Sequence, residues 1–351
     1  MSIGILSMQK VMNFGSYLQS YALKSILGSM GCDVGFVDIR PGRQVVAKSQ
    51  SSARPGLDRH ILKRIGHVLY RRNRMKRFRT DFFPAIGIDQ PISERTCEKI
   101  VIGSDEVFNC SQAVSWGFSP QLFGDTAVPA FTYAASCGHA TFERASQLGL
   151  VPEIATALKK LGAISVRDEN TASFVRQIAG IEPERHLDPV LVFDWDKAIA
   201  PAKTYKNYIL VYAYDNRINA PGEIRAIKDF ARKRGKRLMS FGLYQRWCDA
   251  NIPCSPLELL HYFDHADAVI TDTFHGTVFS IKRNRPFATI VRDSNRNKLG
   301  DLLRRFELTD REAPAAEQLG KVMDQTVDWD KINGILEKET ARSLAYLKAH
   351  V

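Results

Sequence analysis

Short hydrophobic runs alternate with amphipathic stretches along most of this 351-residue chain. The first unit of the pattern is an apolar run at Ser2–Leu6, a helical stretch with Leu18 and Ile26 on its apolar face, and a second run at Val34–Ile39. Strand, helix and strand in this order predict two parallel strands joined by a right-handed crossover. The beginning of the chain is therefore typical of an α/β sheet.

The same alternation continues to about residue 291 and predicts a series of further elements. Strands are predicted at Lys99–Gly103, Phe131–Ala135, Ala163–Val166, His186–Val192, Tyr208–Tyr214, Arg237–Phe241, Ala268–Thr271 and Phe287–Val291, and helices at Ile154–Leu161, Glu169–Ile178, Glu223–Arg234, Pro256–Asp264 and Gly276–Arg283. The polar stretch Asp194–Lys206, which contains Pro201, predicts a domain boundary. We therefore expect two Rossmann-like domains facing a cleft, residues 1–198 and residues 199–351, with the last helix, about 331–351, packing back on the first domain.

A basic segment, Arg40–Thr80, interrupts this alternation. It holds 13 Lys and Arg residues and one Asp, whereas the net charge of the whole chain is +11. The rest of the chain is close to neutral, so the charge belongs to one helical insertion of the N-terminal domain. A basic amphipathic helix is predicted at about Leu57–Phe78. It either lies solvated over the domain or offers the Arg71–Arg79 region to an anionic headgroup or phosphate.

Composition excludes several classes of protein. The hydrophobic and charged fractions, 44% and 25%, are those of a globular chain, and no apolar run is long enough to span a bilayer. The N-terminus lacks the basic and apolar regions of a signal peptide, and the six scattered cysteines form no CxxC pair. We expect a cytoplasmic protein with reduced thiols, no metal and no cofactor. The basic cluster lacks aromatic stacking residues, so nucleic-acid binding is not expected.

The turn Thr271–Gly276, with the sequence Thr-Asp-Thr-Phe-His-Gly, carries the strongest chemical pattern. A buried strand ends at Thr271, and Asp272 or Thr273 can cap the next helix. Free backbone N–H groups and the helix dipole at such a start favour an anion. Gly276 permits close approach of a ligand, and His275 brings a side chain that titrates near neutral pH. Strand-to-helix turns of parallel sheets are where ligands bind, so this turn is the leading site candidate.

Two other strand ends carry polar residues. Gly103 is followed by Ser104 and Asp105, which either cap a helix or face the cleft to hold sugar hydroxyls and accept a proton. Arg167 ends a further strand, where its guanidinium either grips a carboxylate or phosphate or forms a salt bridge to Asp168 or Glu169.

The first strand-to-helix turn, with Asn13, Gly15, Ser16 and Gln19, lacks GxGxxG. A dinucleotide site is therefore weakly supported there.

Taken in order, these turns resemble the polysaccharide pyruvyl transferase family. The resemblance covers about residues 2–310 and rests on Asn13–Leu23, Val37–Pro41, Ile102–Asn109, Tyr133–Ser136, Ile164–Asp168, Leu187–Val190 and Thr271–Gly276. It implies a two-domain fold similar to that of the GT-B glycosyltransferases, with the acceptor bound by the N-terminal domain and the donor by the C-terminal domain. It also implies phosphoenolpyruvate as the donor and a sugar, lipid-linked or in a polymer precursor, as the acceptor in capsule or exopolysaccharide synthesis.

The resemblance also implies roles for individual residues. His275, Asp105 and Arg167 are the expected catalytic residues, and His275 is either the general acid or a phosphate ligand. The donor is expected to contact Arg167, Thr273, His275, Gly276 and Lys298, with Arg296 as the alternative to Lys298, and the acceptor to contact Asn13, Gln19, Ser104, Asp105 and Asn109. A GT-B glycosyltransferase that uses a nucleotide-sugar and a non-catalytic glycan-assembly protein are the alternatives. The basic helix would hold the enzyme at the inner face of an anionic membrane.

Overall fold

The computed structural model describes residues 1–46, 61–215, 217–293 and 295–351, with residues 61–65 described for their backbone only. The chain divides into two compact units, and each contains its own parallel sheet. The first unit contains the described residues of 1–46, 83–193 and 338–351, and the second contains those of 61–82 and 194–337.

The strands and helices alternate along both units. The strands are β1 (Ser2–Leu6), β2 (Asp33–Phe36), β3 (Lys99–Ile102), β4 (Ala130–Thr132), β5 (Ser165–Val166), β6 (Glu184–Arg185), β7 (Tyr208–Tyr212), β8 (Arg237–Phe241), β9 (Ala250–Ile252), β10 (Ala268–Thr271), β11 (Phe287–Ile290) and β12 (Glu312–Ala313). The helices are α1 (Phe14–Ser29), α2 (Ile61–Arg77), α3 (Phe83–Ile86), α4 (Phe142–Gln147), α5 (Val151–Leu158), α6 (Glu169–Ala179), α7 (Pro189–Val192), α8 (Pro221–Lys233), α9 (Pro256–His265), α10 (Phe274–Lys282), α11 (Arg296–Arg305), α12 (Leu319–Met323) and α13 (Trp329–His350). A π-helical turn at Phe78–Phe82 joins α2 to α3.

The sheet of the first unit has the strand order β2-β1-β3-β4, and all its pairs are parallel. Its central strands are buried on both faces, which is why their sequences are apolar runs and not alternating patterns. The chain moves from β1 outward to β2 and then returns to the other side of β1 to form β3. The switch point of this sheet therefore lies between β1 and β3.

The sheet of the second unit has the order β12-β11-β10-β7-β8-β9, again with parallel pairs. The chain lays down β7, β8 and β9 in one direction and then returns to add β10, β11 and β12 on the other side of β7. The switch point of this sheet lies between β7 and β10. Ligands of open α/β sheets bind at the carboxyl ends of strands at this kind of point.

The predicted α/β class of two Rossmann-like domains is confirmed, but one predicted strand is wrong. A strand was predicted at His186–Val192, but the strand β6 ends at Arg185 and residues Pro189–Val192 form the helix α7. The reason is local: the side chain of Asp188 accepts a hydrogen bond from the backbone N–H of Val190, and Pro189 occupies the first helical position.

The basic helix also differs from the prediction. It was expected over Leu57–Phe78 as part of the N-terminal domain. The described helix is α2, it groups with the second unit, and residue 57 lies outside the described residues. Polar contacts explain why α2 belongs to the second unit. The His67 ring forms a hydrogen bond of 3.1 Å with Asp215, and Arg74 donates to the carbonyl of Gly242 across 3.2 Å. An amphipathic pattern predicts that a helix has an inner face, but it does not identify the partner of that face.

The end of the chain packs in the first unit. The hydroxyl of Tyr346 in α13 donates to the carbonyl of Thr132, 3.0 Å away, and the hydroxyl of Ser343 accepts from the N–H of Leu187. The six cysteines are all free thiols. Within the described ranges, no helix combines the length and apolar character needed to cross a bilayer.

Candidate active site

The turn Thr271–Gly276 joins β10 to α10 at the switch point of the second sheet. Helix α10 begins at Phe274, two residues earlier than predicted, because Thr273 is its N-cap. The Thr273 hydroxyl accepts a hydrogen bond of 2.9 Å from the N–H of Gly276. The positive end of the helix dipole therefore lies at the carboxyl edge of the sheet, as an anion site requires.

Threonine hydroxyls fix the shape of this turn. Thr271 donates to the carbonyl of Tyr212 in β7 across 2.6 Å and accepts from the N–H of Thr273. A Cβ atom on Gly276 would lie 2.1 Å from Oγ1 of Thr271. Glycine is thus needed at this position for packing within the turn, in addition to any approach by a ligand.

His275 stands in the first turn of α10 and is buried. Its ring centroid lies 5.4 Å from that of Phe274 and 5.9 Å from that of Phe279, so apolar rings fix its position. A histidine held in this way beside a helix N-terminus can bind an anion or transfer a proton without a large rearrangement.

Asp272, in the same turn, is fully buried. Among the described residues, neither of its carboxylate oxygens accepts a hydrogen bond, and the nearest cations are Arg292 Nε at 3.5 Å and Arg217 Nη1 at 4.0 Å. Burial raises the pKa of this carboxyl to about 6, and the two arginines only partly oppose the effect. Asp272 is therefore a buried acid that titrates close to neutral pH.

Asp272 is surrounded by Arg217, Arg292 and Asn295. No role was predicted for these three residues from the sequence. The amide of Asn295 donates to the carbonyl of Asp272 across 2.8 Å, and Arg292 also bonds Glu223 across 2.6 Å. The side chains of Arg217 and Arg292 stay 34% and 32% exposed. Both arginines follow strands that end at the same edge as β10. Their positions in the sequence, after β7 and β11, could have indicated that they lie near this turn.

Lys298 and Arg296, the predicted donor contacts, lie in the first turn of α11. Lys298 is half-buried, whereas Arg296 is exposed and pairs with Glu312 across 3.3 Å. Arg292 precedes this helix and lies beside Asp272, so it is a basic residue of this segment that the structure brings to the turn.

In the first unit, Ser104 and Asp105 follow β3 at the switch point of that sheet. They cap no helix within the described structure, which corrects that interpretation. Asp105 has a φ of 73°, a left-handed conformation that aspartate tolerates better than most residues. Its Oδ2 accepts a hydrogen bond of 2.6 Å from the hydroxyl of Ser16 in α1. The turn therefore holds one carboxylate in a defined orientation.

Arg167 forms a salt bridge, but its partner is neither Asp168 nor Glu169. Its Nη1 donates to Oδ2 of Asp188 across 2.7 Å, and the same oxygen accepts from the hydroxyl of Ser104. Asp168 instead caps α6. Because the Arg167 side chain is only 4% exposed, it belongs to a buried charge network of the first unit.

The remaining predicted acceptor residues bind groups of the protein itself. Asn13 caps α1 by accepting from the N–H of Ser16, and Gln19 is fully buried and donates to the hydroxyl of Ser7. The Asn109 amide donates to Glu106 across 2.8 Å. Gln19 and Asn13 therefore shape the turn after β1 that faces Ser104 and Asp105, since Ser7 also donates to the carbonyl of Ser104.

The profile of a family described as polysaccharide pyruvyl transferase matches residues 13–294, which is most of the chain. This range contains both candidate turns. No curated protein matches the sequence.

Solved structures resemble the whole chain at low sequence identity. The S. aureus protein MnaA, solved with UDP, has a TM-score of 0.53 and 10% identity over 99% of this chain and 96% of its own. The glycotransferase of kitacinnamycin has a TM-score of 0.51 and 10% identity over 100% and 98%. LpCGTa, solved with UDP, has a TM-score of 0.50 and 12% identity over 99% and 98%. These likenesses establish a fold of the GT-B type and nothing about the ligand.

Proposed function

Because the chain belongs to the polysaccharide pyruvyl transferase family, we propose that it transfers a pyruvyl group from phosphoenolpyruvate to a sugar of a polysaccharide or lipid-linked glycan precursor. The product is a pyruvate ketal, which adds a carboxylate to the glycan. The observation that carries the proposal is the position of Thr271–Gly276, which places a capped helix N-terminus at the switch point of the second sheet. Such a site favours an anionic donor.

The proposed reaction consumes two hydroxyl groups of the sugar. A proton adds to the terminal carbon of the enol, and the neighbouring carbon gains oxocarbenium character. One hydroxyl oxygen bonds to that carbon, and the bond from the same carbon to the phosphate oxygen breaks, with the electron pair leaving on phosphate. The second hydroxyl then closes the ketal. The two hydroxyl protons offset the one taken up by the enol carbon and the one retained by phosphate.

In the second unit, we assign donor binding to the N-terminus of α10 together with His275. Arg217 and Arg292 support this assignment, because each offers a partly exposed guanidinium beside the turn. Lys298 remains a proposed contact. His275 acts either as the acid that protonates the enol or as a phosphate ligand, and both roles require the buried ring position described above.

In the first unit, we assign the role of general base to Asp105. One carboxylate oxygen is held by Ser16, and the other accepts no hydrogen bond from any described residue. An oriented carboxylate of this kind can take the proton of a sugar hydroxyl. The pairing of Arg167 with Asp188 supports a positioning role for Arg167 more than direct contact with the donor.

The test is a titration of the purified protein with phosphoenolpyruvate and, separately, with UDP, followed by an assay of phosphate release with lipid-linked glycan acceptors. We expect binding of phosphoenolpyruvate and release of phosphate that depends on an acceptor. His275→Ala should abolish turnover, while His261→Ala, a change of a partly exposed histidine in α9 of the same unit, should keep it.

Binding of UDP without binding of phosphoenolpyruvate would refute the proposal in favour of a nucleotide-sugar glycosyltransferase. Full turnover of His275→Ala would refute the assigned site. Circular dichroism of both histidine variants shows whether each is folded, so loss of activity is not confused with loss of structure.

A further inference from the structure

One face of helix α2 makes polar and aromatic contacts with other described residues of its unit. The inner face carries His67, Tyr70 and Arg74. Besides the bonds of His67 and Arg74, the Tyr70 hydroxyl donates to the carbonyl of Ile252 across 3.1 Å, and the His67 ring stacks on Tyr244 at 5.1 Å. These contacts are spaced at helical intervals, so they fix the rotation of the helix about its axis.

The exposed surface of the helix, which we call the outer face of α2, carries four cations: Arg71, Arg72, Lys76 and Arg79, the last just beyond the end of the helix. All four are exposed, and none forms an ion pair or a side-chain hydrogen bond with a residue that the structure describes. The sequence between residues 61 and 80 contains no Asp or Glu. Among the described residues, the outer face is therefore a concentration of positive charge that no acidic side chain compensates.

Two apolar side chains stand in the same surface. Val68 is 58% exposed and Leu69 is 59% exposed, and they belong to the few large hydrophobic side chains that the described chain leaves exposed. Exposed aliphatic groups next to uncompensated cations are the combination found on helices that lie in the interface of an anionic bilayer. The aliphatic groups enter the acyl boundary, and the cations remain among the headgroups.

A site for single-stranded nucleic acid would require a different arrangement. Single-stranded nucleic acids are bound by exposed aromatic rings together with cations. The aromatic residues of this segment point inward, since Tyr70 bonds Ile252 and Phe78 is fully buried. Val68 and Leu69 offer no ring on which a base can stack. The exposed side chains of the outer face therefore favour a lipid surface over a single-stranded nucleic acid.

We propose that the outer face of α2 docks the protein peripherally on an anionic bilayer surface. This inference does not rest on the proposed pyruvyl transfer. Each Lys or Arg held near such a surface raises partitioning about fivefold, so the four cations together account for a change of more than about a hundredfold. Docking depends on charge and on aliphatic contact, and each contribution is tested by its own variant.

The experiment is co-sedimentation of the full chain with phosphatidylcholine vesicles, prepared with and without phosphatidylglycerol. We expect binding only to the vesicles with phosphatidylglycerol, and weaker binding as salt is added. One variant carries Arg71→Gln, Arg72→Gln, Lys76→Gln and Arg79→Gln and should lose at least about a hundredfold in partitioning. A second carries Val68→Ser and Leu69→Ser and should bind less tightly while it keeps its dependence on salt.

A matched control replaces four exposed cations of α8, another helix of the same unit. It carries Arg225→Gln, Lys228→Gln, Arg232→Gln and Lys233→Gln. It should bind vesicles like the unchanged protein. Equal losses in the control and the outer-face variant would overturn the proposal, because they would show a general effect of net charge. Equal binding to both kinds of vesicle would overturn it as well. So would binding to single-stranded RNA that the outer-face variant loses while its vesicle binding persists.

Discussion

The Arg167 guanidinium and the Asp188 carboxylate form a hydrogen-bonded ion pair of 2.7 Å inside the first unit, with side chains that are 4% and 0% exposed. The hydroxyl of Ser104 donates to the same carboxylate oxygen, so this pair is tied to the turn that holds Asp105. Burying two charges costs desolvation free energy, which their mutual attraction offsets. The loss of one charge therefore leaves the other buried and uncompensated. The pair therefore couples the stability of the first unit to the shape of its candidate site.

Replacing Arg167 should consequently destabilise the protein strongly. We expect Arg167→Ala to lower the free energy of unfolding by about 3–5 kcal/mol, measured by urea denaturation. Arg176→Ala removes exposed ion pairs with Glu169 and Glu182 and should change the free energy of unfolding much less, because solvent screens such pairs. The double change Arg167→Met with Asp188→Leu should recover part of the loss, because neither member of the pair is left buried without the other. Equal effects of Arg167→Ala and Arg176→Ala would contradict the structural role of the pair.

Ser16→Ala should slow turnover without weakening donor binding. The Ser16 hydroxyl orients Asp105 through a bond of 2.6 Å, and a hydrogen bond to a charged group is worth enough to change the rate about tenfold. Steady-state kinetics should show the loss in kcat, while titration with phosphoenolpyruvate stays unchanged. The control is Ser29→Ala, at the end of the same helix, where the hydroxyl donates only to the carbonyl of Ile26. A loss of donor affinity in Ser16→Ala would argue against the division of roles.

Local sequence patterns sufficed to predict the fold and the position of the main turn. The strand Ala268–Thr271 is found as predicted. A short apolar run followed by a polar turn and an amphipathic stretch is compatible with few secondary structures other than strand, turn and helix. The error at His186–Val192 came from the same kind of information. Asp-Pro is a helix-start signal, and the hydrophobic run outweighed it.

The partners of charged residues could not be predicted in this way. Asp188 lies 21 residues from Arg167 in the sequence. Their contact depends on the parallel pairing of β5 with β6, because Arg167 follows the first strand and Asp188 follows the second. In the same manner, Arg217 and Arg292 belong to separate loops that meet only because β7 and β11 both flank β10. The family resemblance implies Lys298, with Arg296 as its alternative, whereas the order of strands in the sheet shows that Arg292 also lies beside the turn.

Gly276→Ala should disturb the candidate site through packing alone. The new Cβ would lie 2.1 Å from Thr271 Oγ1, and the hydroxyl can withdraw only by giving up its bond to Tyr212. We expect a loss of about 1–3 kcal/mol in unfolding free energy, together with loss of turnover. Gly28→Ala in α1 has open space around the added methyl group and should be neutral or stabilising by up to about 1 kcal/mol. Comparable thermal midpoints for the two variants would contradict this reason for the glycine.

Asp272 predicts a specific dependence of stability on pH. Burial raises its pKa from 3.8 to about 6, so the folded state retains a proton that the unfolded state has already lost between these values. A group with a raised pKa contributes stability that is fully present below its unfolded pKa and is lost as pH rises through its folded pKa. The stability due to Asp272 should thus decline from about pH 4 to pH 7, by about 3 kcal/mol in total.

Asp272→Asn removes this titration while keeping the shape of the side chain. The difference in unfolding free energy between the unchanged protein and the variant should therefore fall as pH rises, in denaturation curves recorded at successive pH values. Asp125→Asn supplies a control of opposite sign, because the hydrogen bond from Lys160 lowers the pKa of Asp125 and its contribution is lost as pH falls. A difference for Asp272→Asn that stays constant with pH would show that Arg217 and Arg292 stabilise the carboxylate fully. The turn would then carry a permanent negative charge beside the proposed donor site.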